Sequence, residues 1–372
     1  MIYLDYASST PVNKEVLETF LHTEQNFIGS AFSNHLKGNE IHSKLEDVSS
    51  QFRTLLKTNP NTTIIYTSGA SESNNLAIKG IAETYKYKGK HILSTCLEHP
   101  SVSGTLSFLH EKGYEIELLK IQSNGQIDLK HLKPTIRPDT ILMCVSLVDS
   151  ELGVIQPLEE IAKILENTGC KLHLDVAQAI GKIPIEKYSI AQYADTISIS
   201  PHKFYGLRGC GLLLKREDVV LAPLFHGGGN IYRAGTPALG LIASSLKALE
   251  LTITHFDERL EYVKNLHKEL VESLTKEPTV QINSPINDNA FIINLSVAGF
   301  KGVEFQTELN KSNICVSVKS ACSTDSAPSR AVMAVSNNRK NALNSWRISL
   351  SHLTTLQEIQ EFLKVFKEIL NR

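Results

Sequence analysis

The segment Thr63-Ile-Ile-Tyr-Thr-Ser-Gly-Ala-Ser-Glu-Ser73 contains the pattern from which the architecture follows. An apolar, β-branched run ends at Thr67, and small hydroxyl residues then open a helical pattern. Similar runs precede longer helical patterns at 91–95, 141–145, 171–175, 196–200 and 211–214. Strands that alternate with helices are typical of βαβ units and of a mostly parallel sheet covered on both faces. The sequence therefore predicts an α/β fold, with ligands bound beyond the carboxyl ends of its strands.

The pattern changes after residue 235. From Thr236 to about Leu274 it is continuously helical, and a smaller strand-and-helix region follows, with a predicted strand at 290–295. We predict a large domain at 12–250 and a small domain formed by 1–11 and 251–372. The last segment, 354–372, carries an apolar stripe at helical spacing, and Thr354 and Gln357 have capping-box spacing at its start.

The charge balance excludes some classes of protein. The chain has 372 residues, and 38 Lys and Arg against 39 Asp and Glu give a formal net charge of -1. A broad basic surface for a nucleic-acid backbone or an anionic membrane is therefore not expected. No run approaches the roughly 18 apolar residues that span a bilayer, and the first residues lack the layout of a signal peptide. We predict a cytoplasmic protein that binds neither membranes nor nucleic acid.

The six cysteines are far apart and form no C-x-x-C pair. This spacing favours reduced thiols over a metal cluster or a disulfide framework, and most should be small core residues. Cys322 differs from the others, because residues 319–328 around it are small and polar, as in a loop.

Two segments at predicted strand ends could bind charged groups. The turn from Thr67 to Ser73 combines small hydroxyl residues with the free amides of a helix start, which favours a phosphate, although ordinary helix caps share this pattern. Asp175 follows an otherwise apolar strand. Its carboxylate is either a cap satisfied by nearby amides or the counter-charge of a buried cation such as a protonated ring nitrogen.

Two further segments offer cationic groups. Lys203 directly follows an apolar strand, where it is either an exposed loop lysine or an amine desolvated enough to attack carbonyls. Arg347 lies between apolar residues, and its burial is costly unless it binds a carboxylate or phosphate. A phosphate site, a counter-ion, an amine nucleophile and a carboxylate-binding arginine are together what pyridoxal phosphate acting on an amino acid requires.

With these residues in place, the sequence resembles the cysteine desulfurases, a branch of the class V aminotransferases. The resemblance runs nearly the whole chain, through motifs in the family's order at 3–7, 10–11, 67–80, 98–100, 151–157, 175–178, 200–203, 227–229, 320–323 and 347–349. It implies the aspartate aminotransferase-like fold (fold type I) and a pyridoxal 5'-phosphate cofactor. The polar loop after Cys322 resembles the subgroup whose nucleophile lies on a long loop.

The resemblance implies roles for the residues around the cofactor. Lys203 is expected to bind it covalently and later to move the substrate's Cα proton. His99 is expected to stack on the ring and to serve in acid–base steps, Asp175 to pair with the ring nitrogen, and Gln178 to reach the phenolic oxygen. The residues expected to hold the phosphate are Ala70, Ser71, Ser200 and His202, together with Thr236 of the other subunit of a homodimer.

The resemblance also implies the reaction. Arg347 is expected to bind the substrate carboxylate, and the thiolate of Cys322 to take the sulfur of L-cysteine as a persulfide, with release of alanine. A sulfur-acceptor protein, a scaffold or a thiotransferase, would then supply iron–sulfur clusters, thiolated tRNA or another thio-cofactor. The alternatives are a C–S lyase, selenocysteine lyase or aminotransferase in which Cys322 is not the nucleophile, or a non-catalytic relative.

Several positions depart from the family pattern. Asp149 and Ser150 replace two adjacent Asn, of which the second contacts the cofactor's phenolic oxygen near the substrate carboxylate. Loss of that hydrogen bond, about 0.5 to 1.5 kcal/mol, is expected to weaken substrate binding and raise the pKa of the cofactor linkage. Ser30 replaces a usual Asn near the site mouth, and Ala238 stands where Asn is common, close to Thr236. Lys319 replaces a Gly, and is either a solvated loop lysine or a cation that lowers the pKa of the nucleophile.

Overall fold

A computed structural model describes residues 1–286, 288–318 and 327–371. Within these residues the strands are β1 Ile2–Tyr3, β2 Thr63–Thr67, β3 His91–Ser94, β4 Glu115–Leu118, β5 Thr140–Ser146, β6 Lys171–Asp175, β7 Thr196–Ile199, β8 Gly211–Lys215, β9 Val280–Ile282, β10 Ile292–Val297, β11 Ile314–Cys315 and β12 Ser345–Ser349. The α-helices are α1 Lys14–Asn26, α2 Leu36–Leu55, α3 Ala70–Tyr85, α4 Pro100–Glu111, α5 Leu129–Thr135, α6 Leu158–Leu165, α7 Ile190–Tyr193, α8 Leu239–Thr254, α9 Phe256–Leu274, α10 Gly302–Lys311, α11 Arg330–Ser336, α12 Arg339–Asn344 and α13 Leu356–Leu370. Short 3-10 helices lie at Ile185–Tyr188 and Pro201–Lys203.

A seven-stranded sheet has the order β2-β8-β7-β6-β5-β3-β4. Its strands run parallel except that β8 is antiparallel to both of its neighbours. The predicted α/β fold with a mostly parallel sheet is confirmed, and the predicted strand runs match β2, β3, β5, β6, β7 and β8 to within a residue or two. The edge strand β4 was not predicted, because glutamates alternate with its apolar residues.

The sheet is buried on both faces. Alternate side chains of β5 point to opposite sides, so that Met143 and Val145 pack into one apolar core and Leu142 and Cys144 into the other. Helices α3 and α4 cover the second of these cores. An apolar strand covered on both faces needs no alternating pattern, which is why continuous runs predicted these strands.

A second, antiparallel sheet of β12, β10 and β9 has a core of its own. Phe305 stacks there on Trp346, and Phe366 packs at a tilt against both rings. Strand β1 joins this region by pairing in parallel with β11. This core draws on residues 4–7 and 263–369. The domain bounds at 12–250 and 251–372 stay a prediction. No helix in the described part of the chain has the length and apolar character needed to cross a bilayer.

Two sequence predictions about helices were wrong in detail. The predicted continuous helix is divided at His255 into α8, which packs in the core of the large sheet, and α9, which packs in that of the small one. The chain must bend there because the two cores lie in different parts of the molecule. The capping box of α13 is formed by Thr355 and Glu358, because the hydroxyl of Thr354 is buried and accepts from the Ser351 amide.

Candidate active site

A cavity of about 350 Å³ opens where β2, β5, β6 and β7 end at their carboxyl termini. The structure brings nine of the sequence-predicted residues to its wall: Ala70, Ser71, His99, Ser150, Asp175, Gln178, Ser200, His202 and Lys203. We call this space the site cavity. Its position agrees with the rule that open α/β sheets bind ligands beyond their strand ends.

One wall of the site cavity is the turn from β2 into α3. No side chain in the described part of the chain caps α3, so the amides of its first turn stay available to an anion. Gly211 of β8 lies so close behind this turn that a Cβ there would be 2.4 Å from the Gly69 carbonyl carbon. Only glycine can occupy position 211 without moving the turn.

Ser200 and His202 line the same cavity as this turn. The Ser200 hydroxyl and His202 Nδ1 are 3.0 Å apart. Burial lowers the pKa of His202 to about 4, and the nearby cations Lys203, Arg208 and Lys182 add to this effect. His202 is therefore neutral at neutral pH and can take part in an anion site through hydrogen bonds rather than through charge.

Asp175, at the end of β6, is buried and held from two sides. Its Oδ1 accepts from the Ala177 amide at 2.9 Å, and its Oδ2 accepts from Asn74 Nδ2 at 2.8 Å. Asn74 is fully buried, and its Oδ1 also lies 2.9 Å from Nε2 of His173. Both sequence interpretations of Asp175 therefore have a structural basis, since the carboxylate caps a turn and also lines the cavity.

His99 begins α4 as its N-cap residue. Its Nδ1 accepts from the Ser101 amide at 3.1 Å and lies 2.8 Å from the Ser101 hydroxyl. Because a backbone amide can only donate, the proton of the neutral ring belongs on Nε2. Burial lowers the pKa of His99; the charges of Lys203 and Arg347 act in the same direction and that of Asp175 opposes them.

Lys203 ends the 3-10 helix that follows β7, and its ammonium group is held by the first residues of the chain. Nζ donates to the carbonyl oxygens of Ala7 and Ser8, each at 2.7 Å. Nε2 of Gln178 donates to the same Ala7 oxygen at 2.8 Å, and Gln178 Oε1 is buried without a partner among the described residues. The segment after β1 is thus part of the site wall.

Arg347, in β12, is only 2% exposed and is not in the wall of the site cavity. Its Nη1 donates to the Ser150 carbonyl at 2.6 Å, and its Nη2 donates to Asp5 Oδ1 at 2.7 Å and to the Ser8 hydroxyl at 2.9 Å. The predicted carboxylate-binding arginine is therefore paired with a carboxylate of the chain itself.

Comparisons with known proteins agree with this geometry. The family model described as aminotransferase class-V matches residues 2–362. A cysteine desulfurase IscS of Dictyoglomus turgidum is 34% identical over 376 residues, covering 100% of this chain and 95% of that protein. Among solved structures, a NifS-like protein superposes with a TM-score of 0.91 at 29% identity, covering 100% of this chain and 99% of that one. SspA in complex with cysteine gives a TM-score of 0.81 at 30% identity, covering 95% of this chain and 100% of that one.

The chain belongs to the class-V aminotransferase family. The full-length likeness to cysteine desulfurases confirms the predicted branch of this family and the predicted fold type. It also confirms the predicted enzyme class and its pyridoxal phosphate cofactor.

The residues of this class-V aminotransferase fit the cofactor. The uncapped first turn of α3 suits the phosphate, the Asp175 carboxylate suits a ring cation, and Lys203 is the amine that can bind the aldehyde. Gln178 is the buried amide of the set: one hydrogen of its Nε2 goes to the Ala7 oxygen, and the second is the donor that suits a phenolic oxygen. When bound, pyridoxal phosphate supplies the electron sink for chemistry at Cα.

Some predicted residues are not brought to the site cavity. Thr236 is exposed and does not line it, and neither do Ser30 and Ala238. Cys322 and Lys319 lie within residues 319–326, outside the described residues.

Asp149, the first of the two unusual residues before Glu151, is buried and caps the turn that follows. Its Oδ2 accepts from the amides of Glu151 and Leu152. Burial raises the pKa of Asp149 to about 7, and the neighbouring charge of Glu151 acts in the same direction. The Asp149 carboxylate thus binds backbone amides, whereas Ser150 is the residue of the pair that lines the cavity.

Sequence reasoning missed four residues that shape the site. Asn74 orients Asp175, Asp5 and Ser8 contact Arg347, and Glu98 lies buried behind the cavity, where Thr95 and Ser146 donate to its two oxygens at 2.7 Å. Burial raises the pKa of Glu98 to about 8 in spite of these hydrogen bonds. A polar residue on the apolar face of a helix was the available signal for Asn74, whereas contacts of Asp5 and Ser8 over more than 300 residues leave no local pattern.

Proposed function

We propose that the protein converts L-cysteine to L-alanine and holds the removed sulfur as a persulfide on Cys322. The observation that carries the amino-acid substrate is the position of Ser8. Its carbonyl oxygen accepts from Lys203 Nζ at 2.7 Å, and its hydroxyl accepts from Arg347 Nη2 at 2.9 Å. The Lys203 amine that binds the cofactor and the Arg347 guanidinium thus both contact Ser8. This closeness suits a ligand whose amine and carboxylate are attached to the same carbon atom.

The residues of the site have separate tasks in this proposal. Lys203 would hold the cofactor through its amine, and the same amine would move the Cα proton of the substrate. Asp175, oriented by Asn74, supplies negative charge at the ring nitrogen. His99 keeps its proton on Nε2 and so has a donor for acid–base steps. Arg347 selects substrates with a carboxylate.

The sulfur step balances without a further reagent. The Cys322 thiolate attacks the substrate sulfur, an S–S bond forms, and the Cβ–S bond breaks with its electron pair left on the carbon side. A proton then completes the methyl group of alanine. The two sulfur atoms of the persulfide are oxidised and Cβ is reduced, so no outside oxidant is needed.

The described residues on both sides of Cys322 support its access to the substrate. Ser317, five residues earlier, exchanges backbone hydrogen bonds with Arg347. Five residues can span at most about 18 Å. On the other side, the Ser329 hydroxyl donates to Glu151 at 2.6 Å, in the turn that follows Ser150. Both flanks are therefore fixed beside the carboxylate-binding end of the site.

The decisive experiment follows sulfur and alanine together. The holoenzyme is incubated with L-cysteine, alanine is quantified, and the persulfide is located by mass spectrometry. We expect one alanine for each sulfur transferred and a mass increase of one sulfur on Cys322. Cys322→Ser should keep the cofactor absorbance and lose the persulfide.

Cys315→Ser is the matched control, because Cys315 is a free, partly exposed thiol seven residues earlier. It should behave as the wild type does. Formation of pyruvate, ammonia and sulfide that survives Cys322→Ser would instead identify a C–S lyase and contradict the persulfide proposal.

We further propose a homodimer in which Thr236 reaches the phosphate in the partner subunit. Thr236 is exposed, and the loop before it carries Ile231, which is 75% exposed. Gly229 of this loop lies against the ring of Phe32, so the loop adjoins a segment with a second exposed residue, Ile28, also 75% exposed. Large apolar side chains in one exposed patch are typical of an interface.

Sedimentation can test the dimer. Ile231→Asp should dissociate the wild-type dimer into monomers and weaken cofactor binding, because Thr236 no longer reaches the partner. Tyr87→Asp is the control, since Tyr87 is equally exposed but lies outside this patch. A wild-type protein that sediments as a monomer with full cofactor content would contradict the proposal.

The persulfide requires an acceptor and a reducing compartment. We propose that the protein works in the cytoplasm and passes sulfur to a scaffold or thiotransferase for iron–sulfur clusters, thiolated tRNA or another thio-cofactor. The cysteines of the described part are free thiols, as this chemistry needs. Incubation of the persulfide form with candidate acceptors should move the extra sulfur mass from Cys322 to the acceptor.

A further inference from the structure

Three of the five N–H groups of the Arg347 guanidinium are engaged by groups of the chain itself. Nη2 donates to Asp5 and Ser8, and Nη1 donates to the Ser150 carbonyl. Ser8 also donates to Asp5 Oδ1 at 2.9 Å, so Asp5, Ser8 and Arg347 form a closed triangle of hydrogen bonds. A charged group that is 2% exposed needs such partners, because an unpaired buried charge is strongly destabilising.

The donors that remain on Arg347 cannot bind a carboxylate in the usual paired way. A guanidinium has five N–H groups, and three of them make the contacts above. The two left are Nε–H, which is buried without a partner in the described part of the chain, and the second hydrogen of Nη1. These two do not lie on the same edge of the guanidinium plane. A two-point contact with a ligand carboxylate therefore requires Nη2, whose two hydrogens go to Asp5 and Ser8; Asp5 is the one of these two partners that carries a negative charge and so competes with a carboxylate.

Asp5 can leave this contact more readily than Ser150 can. Its side chain is 19% exposed, against 3% for that of Arg347, so a released Asp5 carboxylate has access to water. The Ser150 contact, in contrast, is made by a backbone carbonyl in the turn that Asp149 caps. Exchange of one carboxylate for another would keep the charge of Arg347 paired throughout.

From this geometry we propose that Asp5 is an internal competitor for the substrate carboxylate. To bind Arg347 through both carboxylate oxygens, the amino acid must displace Asp5 from Nη2. Asp5 is then a specificity-determining residue, because a thiol amine without a carboxylate cannot take its place. The inference rests on the proposed function, since it takes Arg347 as the carboxylate site of an amino-acid substrate.

The test measures binding of L-alanine, the product, to the holoenzyme by calorimetry and by the change in cofactor absorbance. Asp5→Asn keeps the size of the side chain and an oxygen that accepts from Nη2, but it removes the negative charge. Hydrogen bonds between charged groups are roughly twice as strong as neutral ones. We therefore expect the dissociation constant of L-alanine to fall about tenfold in Asp5→Asn.

Two controls separate competition from other effects. L-alaninamide lacks the carboxylate, and its affinity should change by less than about twofold in Asp5→Asn. Asp128→Asn removes a carboxylate that caps α5, far from the site in the chain, and should leave the affinity for L-alanine unchanged. Ser8→Ala, which removes one hydrogen bond to Asp5 and one to Arg347, should tighten L-alanine binding less than Asp5→Asn does, and it serves if Asp5→Asn does not fold.

Unchanged or weaker L-alanine binding in both variants would overturn the inference and make Asp5 a support for Arg347. Absence of L-alanine binding to any form would also overturn it. Because alanine binding involves no sulfur transfer, the two proposals can fail separately. Normal persulfide formation with unchanged alanine affinity removes only the role of Asp5, whereas tighter alanine binding without persulfide formation removes only the desulfuration.

Discussion

The two ends of the site are built in different ways. At the cofactor end, Asp175 ends a strand of the large sheet, and His99 and Lys203 each follow a strand of the same sheet. Asn74, in α3, orients Asp175. At the carboxylate end, Arg347 meets Asp5, which is 342 residues away in the chain, and the backbone of Ser150, which is 197 residues away.

The two ends also differ in whether the chain itself neutralises the charged group that would bind a ligand. Neutral amides hold Asp175, so its charge is left for the cofactor. Asp5 neutralises Arg347, so a ligand carboxylate has to compete for it. If this contrast holds, variants at the cofactor end will change cofactor retention and turnover, and variants at the carboxylate end will change the affinity for amino acids.

The largest effect is expected for Asp175→Asn. The amide can keep the hydrogen bond from Ala177 but supplies no charge to the ring nitrogen. Loss of one partner of a buried, hydrogen-bonded charge pair costs about 2 to 5 kcal/mol, so we expect turnover to fall roughly 30-fold or more. Steady-state alanine production and cofactor release after gel filtration provide the measurement. Full cofactor retention and normal turnover in Asp175→Asn would contradict the proposed difference between the two ends of the site.

Glu98→Gln should change how stability depends on pH. The pKa of Glu98 is about 8 in the folded protein and about 4.3 in the unfolded chain. Between these two pH values Glu98 is therefore protonated in the folded protein and ionised in the unfolded chain. The free energy of unfolding of the wild type should therefore fall as pH rises from 5.5 to 8, by on the order of 3 kcal/mol relative to Glu98→Gln. Urea denaturation of both proteins at several pH values tests this. Parallel pH profiles would show that Glu98 is ionised and adds charge to the cofactor end.

Asn74→Ala should weaken the cofactor end without changing any charge. It leaves Asp175 Oδ2 and His173 Nε2 without their amide partner in a buried place, at a cost of about 1 to 3 kcal/mol. We expect a lower melting temperature and weaker cofactor binding. Asn75→Ala is the matched control, because among the described residues its side chain bonds only to the Ser71 carbonyl of its own helix. Equal effects of the two substitutions would argue against a positioning role for Asn74.

The smallest effect is expected at the carboxylate end, for Ser150→Asn. Restoring an amide at this wall position should add one hydrogen bond of about 0.5 to 1.5 kcal/mol and lower the KM for L-cysteine two- to tenfold. The cofactor absorbance should also titrate at lower pH than in the wild type. Ser123→Asn, at an exposed loop position, should change neither quantity. A lower KM without a change in the titration would assign Ser150 to the substrate alone.

Much of the cofactor end could be predicted from the sequence because its residues follow apolar runs. Once 171–175 and 196–200 are identified as parallel strands, Asp175 and Lys203 must lie at the same sheet edge. The helix boundary at His255 and the capping box at Thr355 could not be predicted in this way. Both depend on which of the two apolar cores buries a given side chain. The helical spacing of apolar residues does not give that information.

The sequence by itself determined the parallel sheet, the residues at its strand ends and the likeness to cysteine desulfurases, because these depend on local patterns of apolar and polar residues. Only the tertiary structure decided that Asp5 pairs with Arg347 and that Ala7 and Ser8 hold Lys203. These contacts arise because β1 pairs with β11 and the following residues then cross the site. Pairing between segments more than 300 residues apart depends on the complete fold, and no local pattern records it.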